Sequence, residues 1–159
     1  MNKQAMKHID IMVLGLGYVG LPLALSLSKY FKVSGFDTNT QRIKELNQGI
    51  DSTNEITKKS DFRSTNIKFT SNFLECRSSN VFIITVPTPV NKKNEPDLTN
   101  LKEAASLVAR IIKKGDIVVI ESTVYPGVTE EFIGPIIEKK SGLIRKKDFN
   151  MAYSPERIN

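Results

Sequence analysis

The side chains whose chemistry could serve catalysis are Thr123, Glu156 and Cys76. Thr123 follows the apolar run Ile117-Val118-Val119-Ile120-Glu121, and Glu156 follows Phe149-Asn150-Met151-Ala152-Tyr153. Both therefore fall just past the carboxyl ends of expected strands, where open α/β sheets bind their ligands. The Thr123 hydroxyl can donate to a ligand or position a water, and it would serve equally well as a helix cap or turn hydroxyl. Glu156 could act through water as a general base, or could be a surface acid beside Arg157. Cys76 is the single thiol. A nucleophilic cysteine needs an accessible, electropositive site. Phe73-Leu74-Glu75-Cys76-Arg77 lies between two early elements and reads instead as core or near-surface filler.

A second kind of chemistry is offered by backbone. In Ile9-Asp10-Ile11-Met12-Val13-Leu14-Gly15-Leu16-Gly17-Tyr18-Val19-Gly20 an apolar run breaks into G-x-G-x-x-G, and Ala24, Leu25 and Leu27 continue at helical spacing. Strand, tight turn and helix in that order form a phosphate cradle. Gly15 lets the chain reverse, Gly17 keeps a side chain away from a pyrophosphate, and Gly20 lets helix and strand approach. The helix that follows points its free N–H groups and the positive end of its dipole at the anion. Lys32-Val33-Ser34-Gly35-Phe36-Asp37 reads as a second strand ending in an acid. Asp37 stands 22 positions after Gly15, close to the offset of roughly 20 at which a carboxylate takes ribose hydroxyls. A carboxylate there favours NAD over NADP, because it repels a 2′-phosphate. Arg42, five residues on, is either a solvated helix arginine or a phosphate-holding one that softens this preference.

These positions require an alternating frame. Asn39 to Gly49 reads as a polar helix capped by Thr38 or Asn39, and Ile67-Lys68-Phe69-Thr70 as a short strand, with a helical turn expected in the polar stretch 51–64. Val81-Phe82-Ile83-Ile84-Thr85-Val86 is a continuous β-branched run, as a parallel strand buried on both faces demands. Pro87-Thr88-Pro89 ends it abruptly. Leu101, Ala104, Ala105, Val108, Ile111 and Ile112 mark a helix closed by Lys113-Lys114-Gly115, and Val128 to Lys140 reads as a helix interrupted at Gly134-Pro135. Strands alternating with helices predict a three-layer α/β domain over residues 1–159. It is a Rossmann-like, doubly wound, mostly parallel sheet of about six strands in the order 3-2-1-4-5-6.

Composition narrows the function classes. The chain has 159 residues and a net charge of +6, but its lysines are scattered in pairs near helix ends and loops, and it has no tryptophan. No basic stripe interleaved with aromatics is present, so nucleic-acid binding is not expected as a principal role. The excess positive charge suits anionic dinucleotides and sugar nucleotides. No apolar run approaches the roughly 18 residues of a membrane span, and no apolar signal segment is expected before the first strand. One cysteine offers no internal disulfide framework and fits a reducing cytoplasm.

Five ordered stretches make the chain resemble the nucleotide-sugar dehydrogenases, the family of UDP-glucose, GDP-mannose and UDP-N-acetylhexosamine 6-dehydrogenases. They are Val13 to Ala24; Gly35-Phe36-Asp37 with Arg42-Ile43; Val86-Pro87-Thr88-Pro89; Glu121-Ser122-Thr123-Val124-Tyr125-Pro126-Gly127; and Tyr153-Ser154-Pro155-Glu156-Arg157-Ile158-Asn159. Gly49-Ile50-Asp51-Ser52-Thr53-Asn54-Glu55 looks more like the N-acetylhexosamine members. The resemblance implies NAD as cofactor and no metal, with contacts from Gly15, Gly17, Tyr18, Val19, Gly20, Asp37, Arg42, Val86, Pro87, Thr88, Ser122 and Thr123. It tips Arg42 toward the cofactor ribose or phosphate. It implies that Thr123 and Glu156 stand at the active site, and that Glu156, Arg157 and Asn159 approach a UDP-sugar.

The family oxidises the sugar C6 hydroxyl to the acid in two NAD-dependent steps through a cysteine-bound thiohemiacetal and thioester, in surface polysaccharide synthesis. Its catalytic lysine, asparagine, cysteine and aspartate have no counterparts here. The resemblance thus implies the cofactor-binding part of a longer cytoplasmic enzyme that dimerises through its other half. A free-standing dinucleotide sensor, or the cofactor domain of a 6-phosphogluconate-type hydroxy-acid dehydrogenase, are the competing readings.

Overall fold

All five residues of Asp10–Leu14 (β1) are buried, which places this strand at the centre of the molecule. A computed structural model describes residues 8–56, 62, 66–90 and 95–154. Six strands form one sheet in the order β3-β2-β1-β4-β5-β6: Lys32–Phe36 (β2), Ile67–Thr70 (β3), Val81–Ile84 (β4), Ile117–Ile120 (β5) and Asn150–Tyr153 (β6) flank β1. Every neighbouring pair is parallel, and the expected order holds.

Side chains alternate across a strand, so each central strand serves two cores. Met12, Leu14, Phe82, Ile84, Val118 and Ile120 face one layer, built by Thr99–Val108 (α3), Val128–Ile133 and Gly134–Ser141 (α4). Ile11, Val13 and Ile83 face the other, built by Gly20–Leu27 (α1) and Thr40–Asn47 (α2). Two cores separated by one sheet give the three layers.

Register sets up the site. Leu14 pairs with Phe36 and Ile84, Phe36 with Thr70, and Ile84 with Ile120, so the strands end in one row. Gly15, Asp37, Thr85 and Glu121 each continue the ladder by one backbone N–H bond beyond that row. The loops that leave the sheet therefore share a single rim.

Four elements differ in detail from the sequence reading. Regular β4 stops at Ile84 and β5 at Ile120, and just past them the Thr85 and Ser122 hydroxyls bond the Leu14 and Val86 carbonyls. α3 ends at Val108, and overlapping turns carry the chain to Ile112. The break expected at Gly134-Pro135 is a change of winding. A π-helical turn over Val128–Ile133 passes into α4 at Gly134, where Pro135 has no N–H to extend the preceding ladder. The helical turn expected within 51–64 falls largely outside the described residues. Asn39 caps α2, its side chain accepting from the Gln41 and Arg42 N–H groups.

Candidate functional site: a crevice on the rim of the sheet

The rim encloses an open crevice of about 530 Å³, within the range of small-molecule sites. Three glycines shape its floor for three different reasons. Gly15 has φ +96°, and a Cβ there would stand 3.2 Å from the Thr85 backbone. A Cβ on Gly20 would collide with the Gly15 carbonyl oxygen. Gly17 has no such constraint: its φ is not in the left-handed region, and no described atom lies within 4 Å of where its Cβ would be. It lines the crevice beside Tyr18 and Val19. Neither backbone conformation nor packing demands glycine at 17, so the space it leaves is space for a ligand.

That space lies at the start of α1. No side chain caps this helix among the described residues, and its third residue, Pro22, has no N–H to leave unpaired. The Leu21 and Leu23 N–H groups already bond the Gly17 and Val19 carbonyls, so it is the dipole of this end and the backbone of the glycine turn before it that suit an anionic diphosphate. Tyr18 is 69% exposed at the mouth.

Asp37 lies across the floor. One carboxylate oxygen accepts the Leu16 N–H at 2.9 Å, and the other accepts the Asn39 N–H at 2.9 Å. Each retains lone-pair capacity for a ribose hydroxyl. Leu14, Phe36, Ala104 and Leu107 give the crevice an apolar wall.

Arg42 is placed differently from the expectation. It is 7% exposed and absent from the crevice lining. Its Nε donates to the Leu16 carbonyl at 3.0 Å, Nη1 to Ser52 Oγ at 3.1 Å, and Nη2 pairs with Asp51 Oδ1 at 2.7 Å. The arginine grips the underside of the glycine loop instead of facing a ribose or phosphate, because a buried carboxylate holds it there. Burial alone would raise the Asp51 pKa. Hydrogen bonds from the Thr53 hydroxyl, the Ile56 N–H, Arg42 and the Thr53 N–H outweigh it and lower the value to about 2.

The opposite rim is stitched by hydroxyl groups. Ser122 Oγ donates to the Val86 carbonyl at 2.6 Å, and Thr88 Oγ1 to the Thr123 carbonyl at 2.6 Å. Asn100 Nδ2 donates to the Pro87 carbonyl at 2.9 Å. Val86, Pro87, Thr88, Ser122 and Thr123 all line the crevice, and Thr123 is exposed on it. Ser122 is buried, with its proton directed at Val86, so its hydroxyl holds the rim together. Glu156, Arg157 and Asn159 lie outside the described residues.

Sequence reading missed Thr85, Asn100, Glu103 and Leu107. Thr85 lines the crevice, and its hydroxyl lies 2.9 Å from the Leu14 carbonyl and 2.7 Å from the Gly15 carbonyl, pinning the loop from beneath. Its signal was a hydroxyl at the end of an otherwise apolar strand. Asn100, Glu103 and Leu107 belong to the α3 face that looks into the crevice, a face that core spacing alone does not single out.

Cys76 is fully buried in the core between β3 and β4 and does not line the crevice. Burial pushes its thiol up to about 11, which suppresses the thiolate a nucleophile needs.

The family model for the UDP-glucose/GDP-mannose dehydrogenase family, NAD binding domain, matches residues 9–159. The chain belongs to that family. The dinucleotide for which the crevice is shaped is accordingly NAD. UDP-N-acetyl-D-glucosamine 6-dehydrogenase from Pseudomonas aeruginosa is 51% identical over 154 residues, covering 97% of this chain and 36% of the relative. Protein CapL from Staphylococcus aureus is 51% identical over 150 residues, covering 94% of this chain and 35% of the relative. Among solved structures, the UDP-D-ManNAc dehydrogenase from Pyrococcus horikoshii matches with a TM-score of 0.89 at 36% identity, over 95% of this chain and 37% of that one. A ternary complex of GDP-mannose dehydrogenase from P. aeruginosa matches with a TM-score of 0.88 at 29% identity, again over 95% of this chain and 37% of that one. The chain thus spans about a third of the length of the relatives it matches. Among the described residues no helix is long and apolar enough to cross a membrane.

Proposed function

We propose that the crevice holds NAD for an enzyme that oxidises the C6 hydroxyl of a UDP-sugar, a UDP-N-acetylhexosamine, to the uronic acid. The observation that carries the cofactor half of this reading is Gly17, whose missing side chain leaves room at an uncapped helix start. Gly17, Tyr18 and Val19, in the turn that Gly15 and Gly20 shape, would take the pyrophosphate with backbone N–H groups, and Asp37 the adenosine ribose. Bound NAD would supply the hydride acceptor. Val86, Pro87 and Thr88 with Ser122 and Thr123 would flank the far end of the cofactor, keeping water from one side of it. The exposed Thr123 hydroxyl would orient the reacting oxygen or a water.

The sugar class is supported by the names of the half-identical relatives and by residues 49–55. Glu156, Arg157 and Asn159 are proposed to approach that sugar nucleotide, with Glu156 acting on it through water. The thiol for the second oxidation is proposed to come from another part of a longer protein, since Cys76 is buried with a raised pKa. A role in capsule-type polysaccharide synthesis, a cytoplasmic location, and dimerisation through that other part complete the proposal.

Calorimetry on the purified 159-residue chain tests the cofactor half. NAD is expected to bind at least about tenfold tighter than NADP, about 1.4 kcal/mol, because the Asp37 carboxylate repels a 2′-phosphate. Equal affinities would remove Asp37 from the ribose. NADH absorbance tests the rest. The 159-residue chain should form none from NAD and UDP-N-acetylglucosamine or UDP-N-acetylgalactosamine, whereas the full-length enzyme should, and Cys76→Ser should leave its turnover intact. NADH production by the short chain would sink the claim that it holds only part of the site.

A further inference from the structure

Arg42 and Asp51 form an ion pair that neither strand order nor glycine chemistry requires. The Asp51 side chain is fully buried and that of Arg42 nearly so. Ser52 and Thr53 add hydroxyl partners to the guanidinium, and Ser52 in turn donates to Glu45 at 2.8 Å. Asp51 Oδ2 accepts the Ile56 N–H at 2.9 Å, and Oδ1, which faces Arg42, also accepts the Thr53 hydroxyl at 2.7 Å. The guanidinium is thereby locked in one orientation, with Nε on the Leu16 carbonyl.

That carbonyl belongs to the peptide unit whose N–H is Gly17's. In a trans peptide the C=O and N–H point in opposite directions, and the described peptides are all trans. Pulling the Leu16 oxygen toward Arg42 turns the Gly17 N–H the other way, toward the crevice it lines. The preceding peptide is fixed in the same manner, with the Gly15 oxygen held by Thr85 and the Leu16 N–H held by Asp37. Arg42 and Asp37 bond the same residue, the guanidinium on the Leu16 carbonyl and the carboxylate on the Leu16 N–H. Freed from its partner, Arg42 would be a candidate to neutralise a 2′-phosphate.

We propose that Asp51 is a positioning and specificity-determining residue for the cofactor: by holding Arg42 on the Leu16 carbonyl it aims the Gly17 N–H at the pyrophosphate and withholds the guanidinium from a 2′-phosphate. NAD preference is then set twice, by the repulsion of Asp37 and by the confinement of Arg42. This rests on the assignment of the crevice to NAD. The competing account is a buried salt bridge that only staples residues 51–56 to α2.

The two accounts separate in a double-mutant cycle read by calorimetry with both cofactors. Asp51→Asn should weaken NAD by about tenfold and NADP by less, narrowing the NAD/NADP ratio at least about threefold. In an Arg42→Met background Asp51→Asn should add less than about twofold to either constant, since the residue it acts through is gone. An Asp51→Asn protein that melts earlier yet keeps both constants and their ratio within twofold overturns the inference. So does an equal cost in both backgrounds. Should Asp51→Asn not fold, Ser52→Ala removes one neutral bond from the guanidinium and should narrow the ratio by about twofold; an unchanged ratio there overturns the inference as well. A wild-type protein that fails to bind NAD, or whose binding survives Gly17→Val, breaks the underlying assignment and is read separately.

Discussion

At the β1–β2 rim the crevice is shaped by tightly fixed groups: the Gly15 turn, the close approach of Gly20 to the Gly15 carbonyl, the Asp37 carboxylate on Leu16 and the buried Arg42–Asp51 pair beneath. At the β4–β5 rim it is shaped by short side-chain hydroxyls bonded to backbone carbonyls, with Thr123 left exposed. The first arrangement is tied down on several sides, and in the proposed function it would serve a ligand part, the diphosphate and ribose, that is the same in every NAD molecule. The second holds its backbone by single neutral hydrogen bonds and keeps a hydroxyl free at the surface, where the reacting end of the ligand and a substrate would meet. The tied-down rim is thus the one proposed for recognition, and the rim with an exposed hydroxyl the one proposed for chemistry.

Substitutions on the two rims should therefore fail in different ways. Gly20→Ala is expected to cause the largest loss. Its Cβ meets the Gly15 carbonyl, a backbone atom that cannot step aside, so stability should fall by about 3 kcal/mol. That lowers Tm by about 6–12 °C for a chain of this size, and an unchanged melting curve would show the helix free to shift. Gly17→Val has open space around it and should fold as the parent does, by circular dichroism. Its NAD affinity should fall at least about a hundredfold, about 2.7 kcal/mol. Retained binding would make this rim a structural turn only.

Acid should probe the buried pair. The Asp51 pKa lies below its ordinary value, near 2 against 3.8. The stability it contributes is therefore fully present above about pH 4 and is lost as pH falls toward about 2. The wild-type protein should lose about 2 kcal/mol more than Asp51→Asn over that window in denaturant titrations. Equal losses would mean that the pair carries no net linkage. On the other rim Thr123→Val should be the mildest change. Its NAD affinity should stay within about threefold of wild type, about 0.6 kcal/mol, with Tm unaltered. In the full-length enzyme kcat should drop while the affinity for NAD holds. A large loss of NAD affinity would erase the contrast between the rims.

The rim that is easiest to read from sequence is the one made of backbone. Gly15 and Gly20 answer to a positive φ and a close approach, constraints that few other residues meet, so their spacing announces the turn. The strands were equally legible: Val81 to Ile84 is an unbroken apolar run because it is covered on both faces. Thr85, Asn100, Glu103 and Leu107 escaped because their part in the crevice depends on how α3 is laid against the sheet, which no local pattern encodes. Arg42 was legible as a residue, but its burial against the Leu16 carbonyl was not. Nothing in its helix reveals that Asp51, in a loop beyond the end of α2, would take its charge.

Leu14, Phe36, Thr70, Ile84, Ile120 and Tyr153 end their strands in one transverse row. That row sorts insertions and deletions by consequence. A residue gained or lost inside a strand exchanges every later side chain of that strand between the two cores. A residue gained or lost past the row leaves all ladder partners in place and alters only the loop that meets the ligand. A change of length behind the row therefore disturbs the two cores, and one past it disturbs the loops that line the crevice. The boundary between the two regimes runs between Leu14 and Gly15, between Phe36 and Asp37, and between Ile120 and Glu121.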